Sequence, residues 1–261
     1  MKRSLVALAA LASATLPVSL THAQKSAKPK PPVAKAKAPA APKLPLRTAE
    51  AVLDAASKAM GAEKSAAFES TVITGTLTMA SQGINGTVVM KVKGKAFSMS
   101  QTIPRIGEIR MGFDGTTGWV RDPFNGLREL KGDELAQAKT DVDRGGNDWR
   151  KETKSATLIA PRKVAGGWCY VVRAVPKSGP PSTQYYDAKS LLLVRNDVVA
   201  SGPTGKIPTE SYFTDYREVE GAKMPFRTRS VIAGGQEVVI AYTKVETNVP
   251  VDAAEFAKPE K

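Results

Sequence analysis

From Glu69 to Glu246 the sequence is largely a succession of short β-prone runs, all but one closed within a few residues by glycine, proline or asparagine. Links this short cannot carry a crossover to a parallel neighbour, which takes a dozen or more residues. The spacing therefore favours antiparallel pairing of successive runs, as a meander, over βαβ units. The runs are Glu69–Met79, Gly86–Lys93, Ala96–Ile103, Glu108–Asp114, Gly118–Arg121 and Leu127–Leu130. After an interruption come Ala156–Val164, Trp168–Val175, Thr183–Tyr186, Leu191–Val199, Ile207–Val219, Met224–Ile232 and Glu237–Glu246. Val88–Lys93 and Ala96–Ser100 alternate in part between apolar and polar residues, as a sheet with two unlike faces requires. Asn85-Gly86 reads as a tight hairpin turn, a better fit than the glycosylation sequon it forms with Thr87.

Two stretches switch to helical spacing. Thr48 is an N-cap for a helix with Val52, Leu53, Ala56 and Met60 on one face, and Gly61 is placed to end it in a left-handed conformation. This helix needs an apolar surface to lie on. The second stretch, inside the interruption, holds a short helix over Lys131–Ala138 and another around Trp149. One domain over residues 48–261 accommodates all of it.

The preceding residues have a different character. Met1–Lys2–Arg3, an apolar run from Leu5 to Ala14 and the small-x-small Thr21-His22-Ala23 read as a secretory signal over residues 1–23. An uncleaved signal acting as an inner-membrane anchor is the lesser alternative. Residues 24–47 form a Lys/Pro/Ala linker without an aromatic residue, unable to bury a core. This expected disordered linker offers Lys25–Arg47 for contact with anionic membrane lipids or cell-wall polymers, or serves as a solvated spacer.

The residue inventory argues against catalysis. The sole histidine, His22, belongs to the signal, so the exported form has no imidazole for proton transfer or metal ligation. The single cysteine, Cys169, sits in an aromatic and β-branched run and reads as a small buried hydrophobe. No G-x-S-x-G elbow, no serine-x-x-lysine and no complete phosphate loop is present. Asp114 with Asp122, or Asp215 with Glu218, could form carboxylate pairs, but Asp114 before Gly115 is better read as a turn cap. The expectation is a non-enzyme with no cofactor and no metal. The net charge of +13 is also uneven, because nine of the 38 basic residues and none of the acidic ones fall in residues 1–47. The remainder is nearly balanced, which argues against nucleic acid as a partner.

What remains is a set of bulky, adaptable hydrophobes. Met90, Phe97, Met99, Met111, Phe113, Trp119 and Trp149 are candidates for binding a greasy ligand, with Met79 and Phe124 of the same type. Plain core is the competing reading of the same residues.

Four segments together carry a family resemblance. They are Phe113-Asp114-Gly115-Thr116-Thr117-Gly118-Trp119, Tyr185–Leu192, Tyr212–Pro225 and Val245–Phe256. In their order and spacing the chain resembles the LolA/LolB-like superfamily, periplasmic proteins often described as outer-membrane lipoprotein-sorting proteins. The resemblance implies a mainly β (α+β) fold, a strongly curved antiparallel sheet forming an unclosed half-barrel with helices covering its concave face. It implies a periplasmic carrier whose partners are lipid or lipoprotein acyl chains, with the Thr48–Met60 helix and the Gly132–Trp149 insert as lid or plug. Lipoprotein carriers of this superfamily use an early-strand arginine to hold the lid closed. Here Thr71–Ile103 contains none, and Arg105 and Arg110 come first. The alternative is a non-enzymatic cell-envelope interaction module steered by the basic linker.

Overall fold

The structure, a computed structural model, describes residues 42–144, 148–202, 205–232 and 235–260. The expected signal and most of the linker lie outside the described residues. Thirteen strands form one sheet. In chain order they are β1 (Ser70–Met79), β2 (Ile84–Lys93), β3 (Ala96–Ile103), β4 (Gly107–Phe113), β5 (Gly118–Asp122) and β6 (Gly126–Glu129). These are followed by β7 (Thr153–Val164), β8 (Gly167–Pro176), β9 (Ser182–Asp187), β10 (Leu193–Gly202), β11 (Gly205–Val219), β12 (Ala222–Ile232) and β13 (Gln236–Thr247). The spatial order is β6-β5-β4-β3-β2-β1-β13-β12-β11-β10-β9-β8-β7, with neighbours antiparallel throughout. Two meanders are thus joined through the β1–β13 pair.

Helices α1 (Ala49–Ala59), α2 (Ala62–Ser65), α3 (Gly132–Arg144) and α4 (Trp149–Glu152) complete the fold. The sheet does not close, since β6 and β7 are its two edges. They are nevertheless consecutive in the chain, linked by a segment containing α3 and α4. Laid flat, thirteen strands span about 58 Å at roughly 4.8 Å per gap. The link reaches at most about 47 Å, even with every residue outside its two helices fully extended. A flat sheet is therefore excluded by the length of its own connection. The edges must curl toward each other, giving an open half-barrel with α3 drawn across the sheet.

Register fixes which side chains share a face. Ile73, Met90, Met99, Met111 and Val120 form one cross-strand row over β1–β5. The same face continues through Leu77, Ile240, Thr228 and Phe213 onto β11. From there Ser211, Asn196, Gln184, Val172 and Leu158 carry it to the β7 edge. We call this the inner face, because α1 and α3 both pack on it. Val52, Leu53 and Ala56 of α1 cluster with Tyr170, Val172 and Tyr186. Ala138 and Val142 of α3 join the larger cluster around Met90, Phe97 and Ile240. Among the described residues no helix is long and apolar enough to cross a membrane.

The Thr48 side chain accepts a hydrogen bond from Ala51 N–H at 3.1 Å, and Gly61 takes the left-handed conformation at φ 71° that ends α1. Gly61 also lies so close to the β11–β12 turn that a Cβ would sit 2.5 Å from the Gly221 carbonyl oxygen. The adjacent Met60 carbonyl accepts from Lys223 N–H at 2.9 Å. One end of α1 is thereby fixed to the sheet by backbone alone.

Three sequence expectations shift. Asn85-Gly86 is not the hairpin turn: β1 and β2 close at Ala80–Gln82 with Gly83 left-handed, and Asn85 and Gly86 pair inside β2 with Thr78 and Leu77. A residue at positive φ was available two positions earlier, in Gly83. Leu191 is likewise outside the strand it was assigned to, at φ 60° in the turn that Asp187 caps. Packing also begins before Thr48, for Leu44 and Leu46 lie against the α1 cluster and Leu46 N–H donates to the Tyr170 hydroxyl at 3.3 Å.

Candidate binding face

Five of the seven candidate ligand-binding residues come together on the inner face. Met90, Met99 and Met111 are direct cross-strand neighbours in one row, and Phe97 pairs with Phe113 in the next. The two phenyl rings stand 6.2 Å apart, tilted by 37°. Tyr242 points its hydroxyl to Met90 Sδ at 3.7 Å, and Gln101 Nε2 donates to Met99 Sδ at 3.8 Å. Burial raises the Tyr242 hydroxyl pKa above its ordinary value, so it is a neutral donor here. All five residues are buried in this covered form. Unbranched methionines at the centre of the face can repack around a foreign chain at modest cost.

Trp119 is placed elsewhere. It pairs with Gly112, whose side of β4 is opposite to Met111 and Phe113, and it projects from the outer face. A Cβ on Gly112 would lie 2.6 Å from its indole, which is why glycine is needed there. The indole N–H donates to the Phe256 carbonyl at 2.9 Å, pinning the C-terminal segment over this side of the sheet. Phe124 is 66% exposed, in the turn between β5 and β6. Trp149 lies far from the methionine row in sheet order, beside α1.

Val52, Leu53 and Ala56 are buried against β8 and β9, and Met60 is partly buried at the end. A feature not visible in the sequence holds α1 to α4. Asp54 accepts both Arg150 guanidinium nitrogens, at 2.6 and 2.7 Å, and the Trp149 indole N–H at 2.9 Å. Arg150 also stacks on Trp149, 4.5 Å from the ring centroid. The hydrogen bonds from Arg150 and then from Trp149 hold the Asp54 carboxyl below its usual pKa. This clasp is an arginine on α4 gripping α1, where the early strands have none to offer.

Between the two apolar clusters the inner face turns polar. Gln184, Asn196, Ser211 and Ser230 are successive cross-strand partners over β9–β12. Asn196, Ser211 and Ser230 are buried, as is Thr228 beside them. Helix α3 lies against β10, with Gln137 and Thr140 buried. A cavity of about 50 Å³ opens beside it, lined by Thr140, Ala174, Ser182 and Gln184.

The candidate chemical groups are occupied otherwise. Asp114 Oδ1 caps its turn, accepting Thr116 and Thr117 N–H at 2.8 and 2.7 Å, and Asp122 does the same for Phe124 and Asn125. Asp215 is bridged to Arg217 at 2.6 Å. Cys169 is buried on the outer face, where burial and then Asp187 push its thiol pKa up to about 11.

No family model and no curated protein matches the sequence. Solved structures do match it. A DUF1329 family protein from Desulfovibrio piger superposes with a TM-score of 0.55 at 15% identity, over 80% of this chain and 97% of that one. A LolA superfamily protein from Nitrosomonas europaea superposes with a TM-score of 0.53 at 15% identity, over 82% and 99%. This chain has a LolA/LolB-like fold. A structure from Vibrio parahaemolyticus described as an outer membrane lipoprotein-sorting protein domain gives 0.52 at 12% identity, over 80% and 97%. Each of these matches covers about four fifths of this chain.

Proposed function

We propose that the protein is an exported, non-enzymatic carrier or sensor that holds the acyl chain of a lipid or lipoprotein against the inner face of its half-barrel. The observation that carries this reading is the methionine–phenylalanine surface of Met90, Met99, Met111, Phe97 and Phe113, in one apolar cluster with a helix that is itself only weakly apolar. Helix α3, sequence Gly-Asp-Glu-Leu-Ala-Gln-Ala-Lys-Thr-Asp-Val-Asp-Arg, offers few anchors beyond Leu135, Ala138 and Val142. An acyl chain that displaces them replaces one apolar contact by another, so the exchange costs little net exposure.

Two further features support it. Asp114, Asp122, Asp215 and the Cys169 thiol, which could serve catalysis, are engaged in turns, an ion pair or core. The Vibrio parahaemolyticus domain, similar over most of both chains, is described as sorting lipoproteins. Export follows from the reading of residues 1–23 as a signal, and residues 24–43 then act as a basic tether between the envelope and the folded part.

Titration with a fluorescent fatty acid tests the proposal. Saturable binding is expected, competed by unlabelled fatty acid and weakened when Met99→Glu places a charge in the methionine row. Failure to take up any acyl probe under conditions where the protein is folded overturns it.

A further inference from the structure

The buried polar row has no evident purpose in holding the sheet together. Backbone pairing already satisfies β9–β12, and apolar residues at these inner positions would have extended the clusters on either side. The row is also only partly satisfied. Ser211 and Ser230 hydroxyls lie 3.1 Å apart, and Gln184 accepts from the Tyr186 hydroxyl at 2.7 Å. Asn196, 4% exposed, has no hydrogen-bond partner for Oδ1 among the described residues, and neither does Oγ1 of Thr228, 3% exposed. A buried acceptor left without a donor destabilises a fold, and native structures keep few of them without a reason.

Charge is excluded from this patch. Arg195, Asp197, Glu210 and Arg229 belong to the same strands but occupy alternate positions, on the outer face. There Arg195 bridges Asp197 at 2.6 Å and Glu210 at 2.8 Å, while Arg229 bridges Glu237 at 3.0 Å. The inner side of β9–β12 thus presents neutral hydrogen-bonding groups alone along the Gln184–Asn196–Ser211–Ser230 row. Across β12 and β13, through Val238 and Ile240, the same face continues into the apolar cluster that also contains Met90 and Met99.

We infer that this row is a seat for an uncharged hydrogen-bond donor carried by the ligand, with Asn196 Oδ1 as its acceptor. The ligand class is an acyl chain bearing an amide N–H or a hydroxyl near its polar end. The donor sits at Asn196 and the chain runs from there over Val238 and Ile240 towards the methionine row. This rests on the carrier reading and adds to it a rule of selection. A plain hydrocarbon or ester leaves Asn196 unpaired, whereas an amide or hydroxyl supplies what it lacks. Sites built to pair a buried polar group discriminate strongly against ligands that lack the partner.

The test compares three probes of equal chain length: methyl dodecanoate, N-methyldodecanamide and methyl 3-hydroxydodecanoate. Each is titrated into the folded protein in competition with a fluorescent fatty acid. The amide, the hydroxy ester or both should bind about tenfold more tightly than methyl dodecanoate. The two arms tell which donor the seat prefers. In Asn196→Leu the preference should vanish while methyl dodecanoate binds as before, and the melting temperature should stay level or rise because an unpaired oxygen has gone. Asn196→Ala provides the same comparison if leucine overfills the site.

Equal affinity of all three probes for the unaltered protein overturns the seat and leaves the carrier intact. A preference that survives both substitutions also overturns it. Absence of binding by every probe, including the fluorescent acid, removes the carrier reading and this one with it.

Discussion

Leu53→Ala separates a covering helix from an integral one. Leu53 is 5% exposed and sits on the face of α1 that meets Tyr170, Val172 and Tyr186. The substitution removes three buried carbons, worth about 2.4 kcal/mol at roughly 0.8 kcal/mol each, and leaves a partial cavity that raises the cost to about 3 kcal/mol. If α1 can undock while the sheet stays folded, that cost falls on the docking equilibrium. Amide exchange within Ala49–Ala59 should then accelerate roughly a hundredfold, about 1.4 kcal/mol being a factor of ten. Exchange in β1, β2 and β13 should be nearly unchanged, and the main melting transition should move little. Hydrogen exchange read by mass spectrometry, segment by segment, supplies the assay. The reasoning is refuted if α1 exchanges no faster than the strands while the melting temperature drops by the full about 6–12 °C that a global loss of 3 kcal/mol implies for a domain of this size. In that case α1 belongs to the cooperative core and cannot serve as a lid.

Three more outcomes follow from the geometry. The Asp54 carboxyl has its pKa held down in the folded state, so its contribution is present above the unfolded carboxylate pKa and is lost as pH falls through the lower folded value. Fluorescence of Trp149 should therefore report release of α4 from α1 on acidification, and Asp54→Asn should show the released signal already at neutral pH. Cys169, with its thiol pKa raised to about 11, should react with a disulfide reagent at pH 8 far more slowly than a free thiol, and only unfolding should restore the ordinary rate. Trp119→Phe removes the buried donor to the Phe256 carbonyl, which should cost about 1–3 kcal/mol and make the segment after Val249 a substrate for limited proteolysis.

Much of the architecture is legible in the sequence because an antiparallel meander is a local code. Each of the thirteen strands was marked by its own turn residues, and the boundaries differ by only a few positions. The methionine and phenylalanine positions of β2–β4 were equally readable, since strand alternation puts Met90, Phe97, Met99, Met111 and Phe113 on one face once the hairpins are set. What could not be read was long-range. Trp119 looks like its neighbours in composition, yet odd-even register sends it outward to Phe256, 137 positions away. The Asp54–Arg150 clasp joins residues 96 apart, with no local pattern to announce it. The polar row did leave a trace. Asn196, Ser211 and Ser230 occupy positions where alternation calls for apolar side chains, and inward polar residues in a strand can be sought deliberately.

The central claim is that the inner face holds acyl chains, and native mass spectrometry of the protein purified gently from the cells that make it tests that claim most directly. The account predicts a population heavier than the polypeptide by the mass of a lipid or acylated species, released on denaturation, extractable into organic solvent and depleted in Met99→Glu. A mass equal to the bare polypeptide in every preparation, with no lipid in the extract, contradicts it.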